Sequence, residues 1–166
     1  MKRTMALFLS LPLLLLTACG GPSYQAEELK GAPSAVPAVP AEMDLNGAAD
    51  AVTDFAVELL RQTDTGGSTL LSPVSVVYAL AMTANGAAGE TLTQMESVLG
   101  LPLEELNACL RAYADQLPAE DGGRCSLANS IWLRDQADRL TVEQSFLDAA
   151  AAYYDASVFR APFDES

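Results

Sequence analysis

The side chains that could carry reactive chemistry in this sequence are three cysteines, Cys19, Cys109 and Cys125, and two nearby serines, Ser72 and Ser75. A thiol or hydroxyl becomes an effective nucleophile when a neighbouring base activates it. The sequence contains no histidine, which removes the commonest general base and excludes a Ser-His-Asp triad. It also has neither a Gly-x-Ser-x-Gly elbow nor a Ser-x-x-Lys pair, so we expect no enzyme activity from this chain.

Metal and cofactor sites are poorly supplied with ligands. Cys109 and Cys125 cannot by themselves complete a four-ligand zinc site. Asp135 and Asp138 lack the acidic spacing and the glycine of a calcium loop. The glycine turn over residues 86–89 lacks the Gly-Lys-Ser/Thr residues that end a phosphate-binding loop. We therefore expect no metal and no cofactor.

The first 19 residues have the layout of an export signal. Lys2 and Arg3 form a basic start, and residues 6–16 form an apolar stretch too short to span a bilayer comfortably. The sequence Leu16-Thr17-Ala18-Cys19-Gly20 then resembles the bacterial lipoprotein box, which implies cleavage before Cys19 and a diacylglycerol on its thiol. The alternative is an ordinary secretory signal with an incidental cysteine. We expect an exported, extracellular protein anchored in the cell-surface membrane through Cys19.

Residues 20–44 are rich in proline and alanine and are interpreted as a tether between the anchor and a folded domain. Pro22, Pro33, Pro37 and Pro40 alternate with small residues, and no helical or strand period is visible. Prolines remove backbone donors and stiffen a chain, which suits a spacer that holds a domain away from a membrane.

The acidity of the sequence restricts its partners. The formal net charge is −13 at pH 7, whereas nucleic-acid binding depends on cations that neutralise phosphates. The same charge argues against binding to an anionic lipid surface, so the lipid on Cys19 is the predicted membrane contact. We expect no nucleic-acid partner, and solubility is the plain explanation of the acidity.

With Cys19 assigned to the lipid, Cys109 and Cys125 remain as a candidate pair. In an oxidising compartment they could form a disulfide, which would stabilise the fold by about 3 kcal/mol. Two separate buried thiols are an equal alternative from the sequence.

The remaining residues, 45–166, carry the patterns of a folded domain. Apolar residues at i, i+3, i+4, i+7 and i+8 predict an amphipathic helix over 48–62, and Thr69–Leu71 predicts a short strand. Ser72 then stands at a helix N-cap, with Pro73 at the first helical position. The run Val76–Met82 is apolar on nearly every side, which predicts a helix buried all round, in a core larger than a domain of this length needs.

Further along, the sequence predicts helices over about 89–99 and 103–117, a strand over 126–133, a helix after Thr141 and a strand over 156–163. Thr141 and Gln144 match a capping box at the start of that last helix. The strand over 126–133 has apolar residues on both faces, which indicates an interior place in a sheet.

These elements and several of their motifs resemble the N-terminal part of the serpins, the serine protease inhibitor family. The matching pieces are residues 55–60, 72–91, 127–133 and 154–163. The resemblance implies an α+β fold made of the N-terminal helices and the first strands of a large mixed sheet. Residues 45–166 would then be an incomplete domain, truncated before the reactive loop that lies near the C-terminus of a serpin.

The resemblance also implies a function. Serpins inhibit serine or cysteine proteases when the cleaved reactive loop inserts into the sheet as a new strand and carries the protease with it. Ser72 and Ser75 would match the shutter, where strands part to admit the loop, although helix capping alone explains their positions. The expected partner is a target protease, bound through a loop absent from this chain. The alternatives are a non-inhibitory serpin-like surface binding or structural lipoprotein, and an unrelated ligand-binding surface lipoprotein.

Overall fold

The computed structural model describes residues 26–33, 45–118, 125–135 and 139–163. This part of the chain contains five helices and three strands, in agreement with the predicted α+β class. In chain order they are β1 (Glu27–Leu29), α1 (Asn46–Thr63), α2 (Pro73–Ala84), α3 (Gly89–Leu99), α4 (Leu103–Asp115), β2 (Asn129–Arg134), α5 (Gln144–Tyr154) and β3 (Ala156–Ala161). No helix in these ranges is long and apolar enough to cross a membrane.

The central helix is α2, which begins where its sequence predicts. Pro73 occupies the first helical position, where its missing N–H breaks no helical hydrogen bond. Side chains of α2 meet residues of α3, α4 and α5 in a cluster that we call the helical core: Val77, Tyr78, Ala81, Met82, Leu99, Leu106, Leu110 and Tyr154. Within the described residues, the prediction that α2 is buried all round is wrong, because Ala79 is exposed and lines an open groove beside the helix.

Helix α1 packs its apolar stripe on the helical core from outside. Val52 and Phe55 contact the core, whereas Leu60 is half exposed. Gly100 follows α3 with a left-handed φ of 80°, and a Cβ on this residue would lie 3.1 Å from the Cβ of Ala51. Glycine at this position therefore both ends α3 and lets the α3–α4 turn approach α1.

The sheet has the strand order β1-β3-β2. β2 and β3 run parallel, with Ile131 beside Val158, and α5 forms the crossover that parallel strands require. β1 runs antiparallel to β3 on its other side. The central strand is thus β3, and β2 lies at an edge of the described sheet. The prediction of an interior place for residues 126–133 is wrong within this part of the chain.

A second and smaller cluster, the sheet core, lies between α5 and the sheet and consists of Leu147, Ala150 and Val158. Leu29 of β1 and Phe146 of α5 pack against it. Ile131 of β2 packs against both the sheet core and the helical core. This residue therefore joins the helices to the sheet.

Strand β1 lies within residues 20–44, whose composition predicts a tether without strand structure. That prediction is wrong for residues 27–29, because a strand of three residues owes its form to its partner β3 and not to its own alternation. The predicted strand at Thr69–Leu71 does not form, and Leu70 is 98% exposed. Residues 1–25, with the predicted signal and Cys19, lie outside the described ranges.

The start of α5 differs from its predicted capping box. Glu143, and not Thr141, holds the N-cap position, and no side-chain cap forms there. The Gln144 side chain instead donates to Asp148 Oδ1 at 2.8 Å and to the Lys30 carbonyl at 3.3 Å. Gln144, which was expected to complete the capping box, therefore contacts Asp148 in its own helix and Lys30 directly after β1.

Candidate functional site

The structure brings Ser72 and Ser75 together at the start of α2. Their hydroxyl oxygens lie 2.7 Å apart, in hydrogen-bond contact, and both residues are exposed. Ser72 occupies the predicted N-cap position, but its side chain makes no cap hydrogen bond. The predicted side-chain capping by Ser72 is therefore wrong, because its hydroxyl instead bonds Ser75, three residues further along the chain.

The chemistry that this serine pair can perform is hydrogen bonding. Each hydroxyl carries one proton, and the bond between the two oxygens uses one of the two protons. The second proton remains available to an outside acceptor such as a backbone carbonyl. Nucleophilic attack by a serine requires activation by a base, and the partner of each serine here is another hydroxyl.

A buried polar network holds α2 against α4 and α5. The Tyr78 hydroxyl donates to the Leu110 carbonyl at 2.7 Å. Asn85 and Asn107 exchange amide hydrogen bonds of 3.0 and 2.9 Å, and the Tyr154 hydroxyl donates to Asn107 Oδ1. Every buried side-chain nitrogen and oxygen in the described residues has a partner. A satisfied network of this kind restricts the helices to one arrangement.

No residue of this network was predicted from the sequence, and the clearest omission is Asn107. Only 5% of Asn107 is exposed, and among the described residues it is the single polar residue that is buried. A signal was present, because Asn107 stands at i+4 from Leu103 and three residues before Leu110, on the apolar stripe of α4. A polar residue in such a stripe indicates a buried hydrogen-bond partner elsewhere in the fold.

Both tyrosines of the network are held in the neutral form. Burial is the main cause that raises the pKa of Tyr78 to about 12. Burial also raises the pKa of Tyr154. Their rings meet edge to face with centroids 6.0 Å apart, an arrangement that aromatic pairs favour. The pair stays neutral near pH 7, so its contribution is packing and hydrogen bonding.

An apolar groove with a volume of about 880 Å³ runs beside α2. It is bounded by α2, α3, β2, the start of α5 and the residues before it. Its apolar lining includes Met82, Met95, Ile131, Leu133, Val142 and Phe146. Neither Ser72 nor Ser75 lines it. The serine pair and the groove are therefore two separate features of the same helix.

The opposite face of the sheet carries an exposed aromatic stack. Trp132 of β2 stacks on Phe159 of β3 with ring centroids 4.6 Å apart, and 51% of Trp132 is exposed. The Trp132 Nε1–H donates to the Ser130 hydroxyl at 3.1 Å. In the described residues β2 pairs with β3 alone, so its other edge presents backbone groups that a further strand could pair with.

The two remaining cysteines are not joined by a disulfide in the structure. Cys109 is a buried thiol on α4, and Cys125 is exposed before β2. The alternative of two buried thiols therefore holds for Cys109 and is wrong for Cys125. No cluster of three or more metal-ligating side chains occurs in the described residues.

Comparison with known proteins places this fold in context. The family model described as "Serpin (serine protease inhibitor)" matches residues 50–166. Among curated relatives, putative serpin-Z5 of Oryza sativa subsp. japonica is 34% identical over 124 residues, which cover 69% of this chain and 27% of the rice protein. Serpin A11 of Mus musculus is 34% identical over 123 residues, which cover 69% of this chain and 28% of the mouse protein.

Solved structures agree with the sequence relatives. The native-state crystal structure of the thermophilic serpin tengpin superposes with a TM-score of 0.70 at 36% identity, over 85% of this chain and 36% of tengpin. A loop C-sheet serpin polymer superposes with a TM-score of 0.69 at 38% identity, over 78% of this chain and 35% of that chain. The chain thus spans little more than a third of the solved structures that it matches.

Proposed function

The chain belongs to the serpin family, and on that basis we propose that it forms the N-terminal scaffold of a serine or cysteine protease inhibitor. The family match over residues 50–166 carries this proposal. The matched region includes α2 with its serine pair and both parallel strands, β2 and β3. Serpins act on proteases without being enzymes, which agrees with a chain that lacks histidine.

The proposed mechanism is conformational. A protease cleaves an exposed reactive loop beyond this chain, and the loop inserts as a new strand into the sheet that contains β2 and β3. The role of this chain is to supply the first strands of that sheet and the helix beneath it. Within the described residues β2 pairs with β3 alone, and Trp132 is half exposed. Both features support this role, because further strands and helices can cover these surfaces.

Ser72 and Ser75 are proposed to act in the opening of the sheet. The proton left over from their mutual hydrogen bond can bind a strand carbonyl in one state and release it in the other. Replacement of Ser75 by alanine should therefore change the rate of loop insertion. Ser97→Ala, at an exposed serine of α3, makes the same chemical change away from the pair and serves as the control. Equal insertion rates in the two variants would contradict the proposed role.

Protease inhibition is tested on the full-length protein with a panel of serine and cysteine proteases. We expect a protease–inhibitor complex that survives boiling in detergent, because the acyl bond to the trapped enzyme is covalent. Cleavage of the loop without such a complex, across the whole panel, would favour the non-inhibitory alternative, since the fold alone does not set the function.

Membrane attachment through Cys19 belongs to the same proposal. Two acyl chains give stable anchoring, because each buried methylene contributes about 0.8 kcal/mol. Cells fed a labelled fatty acid should label the wild-type protein and leave a Cys19→Ser variant unlabelled. Equal labelling of the two proteins, or none in either, would show that Cys19 is not the attachment site.

A further inference from the structure

The segment of residues 26–33 lies outside the family match and yet is docked on the fold. β1 pairs with β3 over three residues, with Glu28 opposite Phe159 and Leu29 opposite Val158. Glu27 also lies 3.8 Å from Arg160 as an ion pair. The segment therefore covers the edge of β3 that does not face β2.

Leu29 gives the segment an apolar attachment. It is partly buried and packs against the sheet core of Leu147, Ala150 and Val158. Its neighbours Glu28 and Lys30 are exposed. The alternation of one inward and two outward side chains is the pattern by which an extended peptide is held at the edge of a sheet.

Gly31 is a position of the segment where only glycine fits, and this requirement is independent of strand pairing. A Cβ at this residue would lie 2.0 Å from the carbonyl oxygen of Leu147 in α5. The blocking atoms belong to helix backbone and cannot move aside, so any larger residue must displace the segment. The chain approaches α5 this closely because position 31 has no side chain.

Hydrogen bonds fix the segment beyond the glycine. The Ala32 N–H donates to Asp148 Oδ1 at 2.7 Å, and the Gln144 side chain donates both to Asp148 and to the Lys30 carbonyl. The bond from Ala32 is the main cause that lowers the pKa of Asp148. Four contacts therefore hold the segment: backbone pairing with β3, the packing of Leu29, the close approach of Gly31 to α5 and the hydrogen bond to Asp148.

We propose that the edge of β3 beside α5 is a sequence-selective peptide-binding site, that its occupant is the chain's own segment 26–32, and that Gly31 determines its selectivity. The bound segment covers the β3 edge, which would otherwise offer unpaired backbone groups to a second copy of the protein. This assignment concerns the fold of the chain and does not depend on protease inhibition.

The first experiment compares Gly31→Ala with Gly47→Ala in the full-length protein by amide hydrogen exchange. An added Cβ meets backbone at position 31 and nothing within 4 Å at position 47. We expect the β3 amides that face β1 to exchange at least about tenfold faster in Gly31→Ala, because the segment undocks locally. We expect no change in Gly47→Ala, and no change in the α2 amides of either variant. Unchanged β3 exchange in Gly31→Ala would overturn the proposal.

The second experiment supplies the occupant from outside. A synthetic peptide of residues 24–34 should bind the Gly31→Ala protein and restore the slow exchange of its β3 amides. The same peptide with alanine at position 31 should not restore it. Equal restoration by both peptides, or by neither, would show that the site does not select for this sequence.

Gly31→Ala could disturb the whole fold, and faster amide exchange in α2 would reveal this. In that case Asp148→Ala tests the proposal instead. Asp148 contacts the segment through Ala32 and lies outside both cores. Loss of this hydrogen bond should raise exchange at the β3 edge about threefold to tenfold. An unchanged β3 edge in Asp148→Ala would then overturn the proposal.

Discussion

The helical core and the sheet core are stabilised in different ways. The helical core unites eight buried residues from α2, α3, α4 and the end of α5, with the Tyr78, Asn107 and Tyr154 hydrogen bonds inside it. The sheet core has three buried residues, and Leu29 of β1, which lies more than a hundred residues away from α5 in the sequence, packs against them. Helices that follow one another in the chain can build a core from local patterns, whereas the sheet needs a distant segment to complete it.

Truncation of a leucine in each core gives the largest expected effect. Leu106 is 1% exposed in the helical core, and Leu147 is 7% exposed in the sheet core. A buried Leu→Ala change costs about 2–5 kcal/mol, and the cost rises with the cavity that cannot collapse. We expect Leu106→Ala to lie near the top of this range and Leu147→Ala near the bottom, as measured by denaturant unfolding. Equal losses would remove the distinction between the two cores.

Removal of Asn107 tests the polar network of the helical core. In Asn107→Ala the Tyr154 hydroxyl loses its acceptor and Asn85 Oδ1 loses its donor, while Asn85 Nδ2 keeps its hydrogen bond to the Ala81 carbonyl. A buried group left unsatisfied costs about 1–3 kcal/mol. Tyr154→Phe removes one member of the network without stranding a hydroxyl, so it should cost less than Asn107→Ala. The same unfolding measurement compares the two variants, and a larger loss in Tyr154→Phe would contradict the arrangement described.

Alkaline pH should destabilise the helical core specifically, because both buried tyrosines belong to it and the sheet core has none. Burial raises the pKa of Tyr78 to about 12 from a usual value of 10.0, so the folded state keeps a proton that the unfolded chain loses. The stability from this residue is complete below about pH 10 and falls as the pH rises towards 12, by about 2–3 kcal/mol in total. Tyr154 acts in the same direction.

The alkaline loss should be smaller in a Tyr78→Phe variant, measured as the free energy of unfolding at a series of pH values. Tyr113→Phe is the comparison variant, because Tyr113 is 41% exposed and its charge interaction raises the pKa of Tyr78 less than burial does, so this variant should keep most of the alkaline loss. A wild-type stability that stayed level between pH 10 and pH 12 would contradict the burial of these hydroxyls.

The smallest expected effect concerns the ion pair at the edge of the sheet. Glu27 and Arg160 are 3.8 Å apart, and the Glu27 side chain is 68% exposed. Exposed pairs contribute about 0–1 kcal/mol, so Glu27→Gln should change stability no more than Glu58→Gln, which breaks the exposed pair of Glu58 with Arg61 on α1. A loss of stability several times larger in Glu27→Gln would mean that the ion pair holds β1 in place, and not its backbone pairing with β3 together with the packing of Leu29.

The helices were predictable because their signals are local. Pro73 marked the start of α2, and the helices predicted over about 89–99 and 103–117 correspond to α3 and α4. The strand predicted over 156–163 is present as β3 over Ala156–Ala161. It begins directly after Asp155, which adopts a left-handed φ of 48° between α5 and the strand. Each of these features depends on residues within a few positions of one another.

The candidate site was predictable only in part. The sequence placed Ser72 and Ser75 at the start of α2, but their mutual hydrogen bond depends on side-chain rotamers that compete with capping. The role of Asn107 depended on Asn85 and Tyr154, which are 22 and 47 residues away. Composition predicted a tether around β1 because proline and alanine dominate the region, while its few docking residues form no period.

By itself, the sequence determined the helical elements, the absence of histidine chemistry and the family, since these follow from local periodicity, composition and motif order. Within the described residues, the tertiary structure alone decided that β3 lies between β1 and β2, that Ala79 of α2 is exposed and that residues 26–33 belong to the fold. The physical reason is that strand pairing and close backbone approach are satisfied by partners far away in the chain. The passage of Gly31 past Leu147 shows this most directly, because the need for a glycine is set by a helix more than a hundred residues later.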